Sequence, residues 1–411
     1  MKYVVMLGDG MADLPLAELQ NRTPLAAANK PHMDFLARHG AVGLAKTIPE
    51  GMPTGSDTAN LSVMGYDPQR YYSGRSPLEA VSMGVELQPD DVAFRCNLVT
   101  LSDADRYEDM EMLDYSSDEI STEEAAALIA FLNQEFQRDG LRLYPGVSYR
   151  HCLVLSHAET GSECTPPHDI LTRKVGEHLP QGRYGALLLD LMRRSRALLP
   201  NHPVNRRRVE KGLRPANSCW FWGEGTRPAL PPFADRYGVT GGVISAVDLL
   251  KGIGLCAGMQ VVDVPGATGT IDTNFAGKKD AALALLRGGC DLVYIHIEAP
   301  DECGHRHEIE NKVRAIELID SEVLGPILDA LRADGAPFSV LLLPDHPTPL
   351  SLRTHTRDPI PFVLYRSDRS LLPHAEQYCE ACAARTRLYQ PKGWELMRAL
   401  VDGELRMEPE A

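Results

Sequence analysis

Three continuous apolar runs constrain this chain more than anything else in it. Tyr3–Leu7 (YVVML), Leu292–Ile297 (LVYIHI) and Phe338–Leu343 (FSVLLL) are short and do not alternate apolar with polar residues. Strands buried on both faces of a parallel sheet read this way. Each run closes on a turn that carries an acid: Gly8-Asp9-Gly10, Glu298-Ala299-Pro300-Asp301 and Pro344-Asp345-His346. Helical stretches are expected over Thr23–Gly40, Ser121–Phe136, Asp280–Arg287 and Ile309–Leu331. Ser121 followed by Glu124 forms a capping-box start. Further strands are expected at Val92–Leu101, Leu153–Leu155 and Phe362–Tyr365. Strands alternating with helices predict an α/β fold with a mainly parallel sheet sandwiched by helices. A chain of 411 residues exceeds what one hydrophobic core of about 250–300 residues supports, so two domains are expected. The stretch from Arg193 to Pro232, rich in Arg, Pro, Asn and Gly, is expected to be loops over a site or a domain seam.

The acids matter because of where such strands end. In open α/β sheets, ligands bind beyond the carboxyl ends of the strands. Asp9, Asp301 and Asp345 converging there repel one another unless a positive charge lies between them, and a pair of divalent metal ions answers that need. Histidines accompany them. His305 lies four residues after Asp301, on the same face of a helical turn. His346 follows Asp345, and His355 sits nearby in Thr354-His355-Thr356. Any one of these acids alone is more often a turn former or helix cap, and any one histidine is more often structural. The joint pattern points to metal. Mixed carboxylate and imidazole ligands suit Mn²⁺ or Zn²⁺. His296, inside a strand, and His307 are read as structural or as supports behind the ligands.

A two-metal site needs a nucleophile. The segment Pro49–Asp67 places Ser56 in a glycine-containing loop that feeds a helix starting near Asp57. A hydroxyl at a helix N-terminus sits in a positive field, which suits a phosphorylated intermediate. Taken alone, Ser56 reads more readily as a plain helix cap. Candidates for binding an anionic substrate are Arg75, Arg150, His151, His168, Asp169 and Lys278, because arginine forks grip phosphate and carboxylate. Each of these, by itself, reads as ordinary solvated surface.

The segments LGDGMAD (7–13), TGSDTANLSVMGYDP (54–68), GRSPLEA (74–80), IEAPDECGHRHE (297–308), PDHPTP (344–349) and THTRDPIPF (354–362) resemble the archaeal-type, cofactor-independent phosphoglycerate mutases of the alkaline phosphatase superfamily. The likeness runs through nearly the whole chain. It implies an alkaline-phosphatase-like metal-binding core made of 1–90 and 235–411, with a smaller α/β domain, 91–234, inserted as a substrate-binding lid. It implies that Asp301, His305 and His355 hold one metal, and that Asp9, Asp345, His346 and the Ser56 hydroxyl hold the other. It implies two divalent ions, Mn²⁺ first with Zn²⁺, Mg²⁺ or Co²⁺ as alternatives, and no 2,3-bisphosphoglycerate. The reaction implied is interconversion of 3- and 2-phosphoglycerate, in glycolysis and gluconeogenesis, through a phosphoserine at Ser56. The glycerate stays bound while the lid excludes water. Bacterial relatives with a similar EGMPxGSDxANLSVxGYDP stretch have also been proposed as homoserine kinases, so phosphohomoserine synthesis and plain phosphatase activity are the alternatives. A non-enzymatic metal-binding protein would have no need of Ser56 beside two metals.

Charge and composition set the surroundings. A net charge of −14 argues against nucleic-acid binding, which relies on lysine and arginine. It leaves room for a small phosphorylated substrate, since a local arginine cluster can override the overall sign. No apolar stretch long enough to span a membrane and no secretory signal is expected. The nine cysteines are scattered, and Cys379-x-x-Cys382 has no partner pair at zinc-site spacing. A cytoplasmic enzyme, monomeric or a small homo-oligomer, is the expectation.

Overall fold

The computed structural model describes residues 1–405. They divide into two compact units, one formed by Met1–Tyr72 with the chain from Leu230, the other by Ser73–Ala229. The sequence reading placed these boundaries near 90 and 235. The inserted unit begins earlier because the helix Ser76–Ser82 packs on two of its strands, Val92–Leu101 and Ser218–Thr226.

The first unit is built on an eight-stranded sheet. Its order is Gln260–Val262, Gly241–Ile244, Leu292–Ile297, Lys2–Gly8, Phe338–Leu343, Ile360–Arg366, Ala41–Ala45, Tyr389–Gln390. The first five strands run parallel, and only Ile360–Arg366 runs against both its neighbours. The three acid-tipped runs are adjacent at the centre of the sheet. Gly8 pairs with Ile297 and Leu7 with Leu343, so all three strands end together on one edge.

That sheet forms because the central strands are buried along their length, and no polar face is left for solvent. Phe275–Arg287, Ile309–Leu318 and Gly325–Asp334 are among the helices packed into its core. The single helix expected over Ile309–Leu331 is broken by a π-helical segment, Ile319–Leu324. There the buried Asp320 accepts the backbone N–H groups of His32 and Met33, at 3.2 and 2.7 Å. Thr23–Gly40 is likewise two short helices, Pro24–Ala27 and Pro31–His39, because Pro31 starts a new one.

The inserted unit is an antiparallel sheet with helices. Val92–Leu101 is its long central strand and pairs with Met112–Asp114, Arg150–Leu155 and Ser218–Thr226, while Leu141–Tyr144 extends the sheet beyond Arg150–Leu155. The helices Thr122–Phe136 and Gly185–Leu198 contribute to its own core, around Phe94, Trp220 and Phe221. This corrects the expectation of loops over 193–232. The stretch completes one helix, forms a second at Pro203–Glu210, and supplies the strand Ser218–Thr226. Its arginine density misled because Arg208 is a buried structural group, bonded to Glu124 Oε2 and to the carbonyls of Ser117 and Arg214. The ends of this unit are clasped together: Ser73 Oγ donates to Thr226 O at 2.6 Å, and Thr226 N donates to Ser73 O at 3.1 Å.

Among the described residues, no helix is long and apolar enough to cross a membrane. The nine cysteines are free thiols, and all but Cys164 are buried.

Candidate metal centre

The edge where the three central strands end gathers every strand-end acid and histidine singled out above. Asp9 follows Gly8 directly, its N–H donating to Ile297 O at 2.9 Å. Its Oδ2 accepts from His296 Nε2 at 2.8 Å, and its buried Oδ1 has no hydrogen-bond partner. Burial, and then the carboxylates of Asp345 and Asp301, push the Asp9 carboxyl well above its usual range. Burial drives His296 down to about 3, which keeps it a neutral donor to Asp9.

Asp345 is fully held. Its Oδ1 accepts from the N–H groups of Gly10 and His346, at 3.2 and 2.9 Å, and its Oδ2 from Asn60 Nδ2 at 2.7 Å. Tyr294 OH in turn donates to Asn60 Oδ1 at 2.6 Å. His346 Nε2 lies 3.5 Å from Asp9 Oδ1, 3.4 Å from Asp345 Oδ2 and 3.1 Å from Ser56 Oγ.

The second set stands on the helix Ala299–Arg306, where the four-residue spacing does place Asp301 and His305 on one face. His305 Nε2 is 3.2 Å from Asp301 Oδ2 and 2.9 Å from His355 Nε2; His355 Nε2 is 3.5 Å from Asp301 Oδ1. His305 Nδ1 donates to Arg353 O at 3.0 Å. The hydrogen bond to Asp301 raises His305 to about 9. Burial alone would raise Asp301, but its bonds to His305 and His355 outweigh that and hold it well below the usual carboxylate range.

These groups fit a divalent cation pair. Asp9, Asp345 and His346 offer ligand atoms all within 4.8 Å of one another, and so do Asp301, His346 and His355. Neighbouring ligands on one ion with bonds of about 2.0–2.2 Å stand roughly 3–3.5 Å apart, close to the separations of His346 Nε2 from Asp9 Oδ1 and Asp345 Oδ2 and of His355 Nε2 from Asp301 Oδ1, at 3.5, 3.4 and 3.5 Å. The buried Asp9 Oδ1, which accepts no hydrogen bond, agrees with this. A buried carboxylate oxygen without a partner costs about 1–3 kcal/mol or more, unless something positive meets it.

Ser56 is the first residue of the helix Ser56–Val63, not its cap. Gly55 holds the cap position, and no side chain caps that end. The plain-cap reading of Ser56 therefore falls away. Its hydroxyl points instead to His346, while Asn60, one turn on, binds both Ser56 O at 2.9 Å and Asp345.

The anion-binding candidates divide. Arg75, Arg150, His168 and Asp169 lie in the inserted unit around an aromatic and arginine cluster. Glu79 bridges Arg75 Nε and Arg95 Nε, at 2.8 and 2.9 Å. Burial would raise Glu79, but Arg95 and then Arg75 hold it below its ordinary value. The Arg95 guanidinium lies 4.1 Å over the Trp222 ring, whose other neighbour is the His168 ring at 5.3 Å. Asp169 Oδ1 is 3.7 Å from His168 Nε2, and Arg150 stacks on Tyr149 at 4.5 Å. His151 and Lys278 differ from the solvated surface that each by itself suggests. His151 is buried in a strand, accepts from Gly146 N at 3.1 Å, and is driven by burial down to about 3. Lys278 is buried in the first unit, its Nζ donating to His296 O at 3.1 Å, and burial lowers it to about 8.

Sequence reasoning passed over Asn60, Tyr294, Thr348 and Arg95. Asn60 was recoverable, since it lies one helical turn after Ser56. Arg95 was too, as a lone charge in an apolar strand. Nothing local marks Tyr294 or Thr348.

Comparison with known proteins decides the family. A mutase from Methanosarcina barkeri, named 2,3-bisphosphoglycerate-independent phosphoglycerate mutase, is 52% identical over 98% of this chain and 99% of its own length. A relative of the same name from Methanothrix thermoacetophila is 53% identical over 98% of this chain and all of its own length. This chain belongs to the 2,3-bisphosphoglycerate-independent phosphoglycerate mutase family. Residues 37–205 also match the sequence profile described by that name. Among solved structures, a Pyrococcus horikoshii protein matches with a TM-score of 0.82 at 30% identity, covering 99% of both chains. The cofactor-independent phosphoglycerate mutase of Thermoplasma acidophilum matches with a TM-score of 0.67 at 26% identity, covering 98% of this chain and 99% of its own. The likeness to these mutases thus spans both compact units.

Proposed function

We propose that this chain interconverts 3-phosphoglycerate and 2-phosphoglycerate, with Ser56 carrying the phosphoryl group between the two hydroxyls of glycerate. The observation that carries this reading is the Ser56 hydroxyl, at the start of a helix and 3.1 Å from His346 Nε2, beside two convergent ligand sets. Asp9, Asp345, His346 and Ser56 form one set, and Asp301, His305 and His355 the other. Two divalent cations, Mn²⁺ in the first instance, supply charge neutralisation on the transferring phosphoryl group.

The chain's own groups do the rest. Ser56 Oγ forms a bond to phosphorus as the ester bond to one glycerate oxygen breaks. The freed glycerate oxygen takes up a proton, and Ser56 gives one up. The second transfer reverses both exchanges onto the other hydroxyl, so the cycle consumes no water and no net proton. The N-terminus of the Ser56 helix favours the negative phosphoester. Arg75 and Arg150, with His168 and Asp169 beside them, recognise the small phosphorylated anion, and Lys278 supports the strand that carries His296, the partner of Asp9.

The full chain, stripped of metal and reloaded with Mn²⁺, is expected to convert 3-phosphoglycerate to 2-phosphoglycerate without added 2,3-bisphosphoglycerate, as read by ³¹P NMR. Absence of conversion under those conditions overturns the reading.

A further inference from the structure

Thr348 lies two residues beyond His346 and is fully buried. Its position is fixed on several sides. Its N–H donates to Ala12 O at 3.2 Å, and its carbonyl accepts from Lys312 Nζ at 2.8 Å. That ammonium is itself buried and paired with Asp13 Oδ2 at 2.7 Å. The Thr348 methyl faces Gly304, where an added Cβ would come within 2.9 Å of it. The hydroxyl touches Asp301 Oδ1, and lies 3.2 Å from His346 Nδ1.

A hydroxyl has one proton to donate, and an ionised carboxylate can only accept. Thr348 Oγ1 therefore donates to Asp301, and its lone pair receives Nδ1–H from His346. His346 is thereby assigned the tautomer with its proton on Nδ1. Its Nε2 lone pair then faces Ser56, Asp9 and Asp345.

We propose that Thr348 is a positioning residue that ties the two ligand sets together: one hydroxyl orients a carboxylate of one set and fixes the ring and tautomer of His346 in the other. The inference rests on the two-metal reading above. The methyl is part of the device, because a β-branched side chain has few χ1 choices and holds the hydroxyl in one direction.

The test uses the full chain with Zn²⁺, which is diamagnetic. Calorimetric titration of Thr348→Val, which keeps the shape and loses the hydroxyl, is expected to show divalent-metal affinity weakened about 10–100-fold. Thr348→Ser should stay within about threefold of the unaltered chain. In the mutase reaction, Thr348→Val should lower kcat far more than it changes KM. In the unaltered, Zn²⁺-loaded chain, ¹⁵N-histidine NMR should show His346 protonated at Nδ1 and shifted by metal at Nε2. That measurement decides the matter even if Thr348→Val fails to fold. A proton on Nε2, or metal on Nδ1, overturns the proposal, as does unaltered affinity in Thr348→Val. If the unaltered chain binds two ions and Thr348→Val binds them equally well, only the role of Thr348 is lost. If the unaltered chain binds none, the two-metal reading fails and this proposal with it.

Discussion

At the scale of single residues, the site shows how one carboxylate changes character with its neighbours. Asp9 and Asp301 both end up buried at the same sheet edge, yet burial and like charge push the first up while two imidazoles hold the second down. A cation pair held there would remove that asymmetry, because it would satisfy both acids at once. Ser56 is the residue on which the reading depends. Ser56→Ala is expected to lower turnover by about a thousandfold or more, the scale typical of losing a covalent nucleophile. Ligands other than its hydroxyl stay in place, so calorimetry should still find metal bound. A variant that keeps full turnover would remove Ser56 from the chemistry. The acids and histidines were legible in the sequence because each sits at a punctuated strand end or one helical turn from it. Tyr294 and Thr348 were not, since their importance comes from what faces them across the fold: Asn60, 234 positions away from Tyr294, and Asp301, 47 positions away from Thr348.

At the scale of elements, the strand-to-loop corners hold the site. Gly10 adopts φ +60, and a Cβ there would stand 2.5 Å from Thr348 Oγ1 and 2.6 Å from Asp301 Oδ1. No flexible side-chain end stands in the way; the obstacles are a fixed hydroxyl, a ligand carboxylate and the Asp301 Cα at 2.8 Å. Gly10→Ala is expected to cost about 1–3 kcal/mol of stability, read by chemical denaturation, and to weaken metal binding in the same protein. Stability and affinity both equal to those of the unaltered chain would contradict this account of the corner. The element-level reading of the sequence was good for the central strands and poor for 193–232. Apolar runs report burial directly. Arginine-rich segments do not, because a side chain such as Arg208 can spend its charge on Glu124 and two carbonyls inside a core.

At the scale of the molecule, the inserted unit has its own core and its own sheet. The excised segment 73–229 is expected to fold with a cooperative thermal transition; a non-cooperative one would count against its independence. Its acid limb offers a sharper check. Glu79 has a folded-state pKa below its ordinary value of 4.5. It therefore contributes stability that is present above pH 4.5 and lost as pH falls through the lower, folded-state value. Glu79→Gln should remove that part of the pH dependence, and an unchanged acid limb would show that the bridge to Arg75 and Arg95 carries none of it. Sheet order and the exact division of the chain were not legible beforehand. Both depend on which segments meet, and hydrophobic period reports only that a segment is buried.

The clasp between Ser73 and Thr226 bears on how such a protein can diversify. Chain enters and leaves the insertion at a single hydrogen-bonded point, so to the rest of the sequence the whole segment is equivalent to one tight turn. A cassette whose two ends meet at one point can be exchanged for another of different length without re-registering any central strand. A lineage could therefore exchange the insertion at this point, while the acids and imidazoles at the sheet edge were inherited intact.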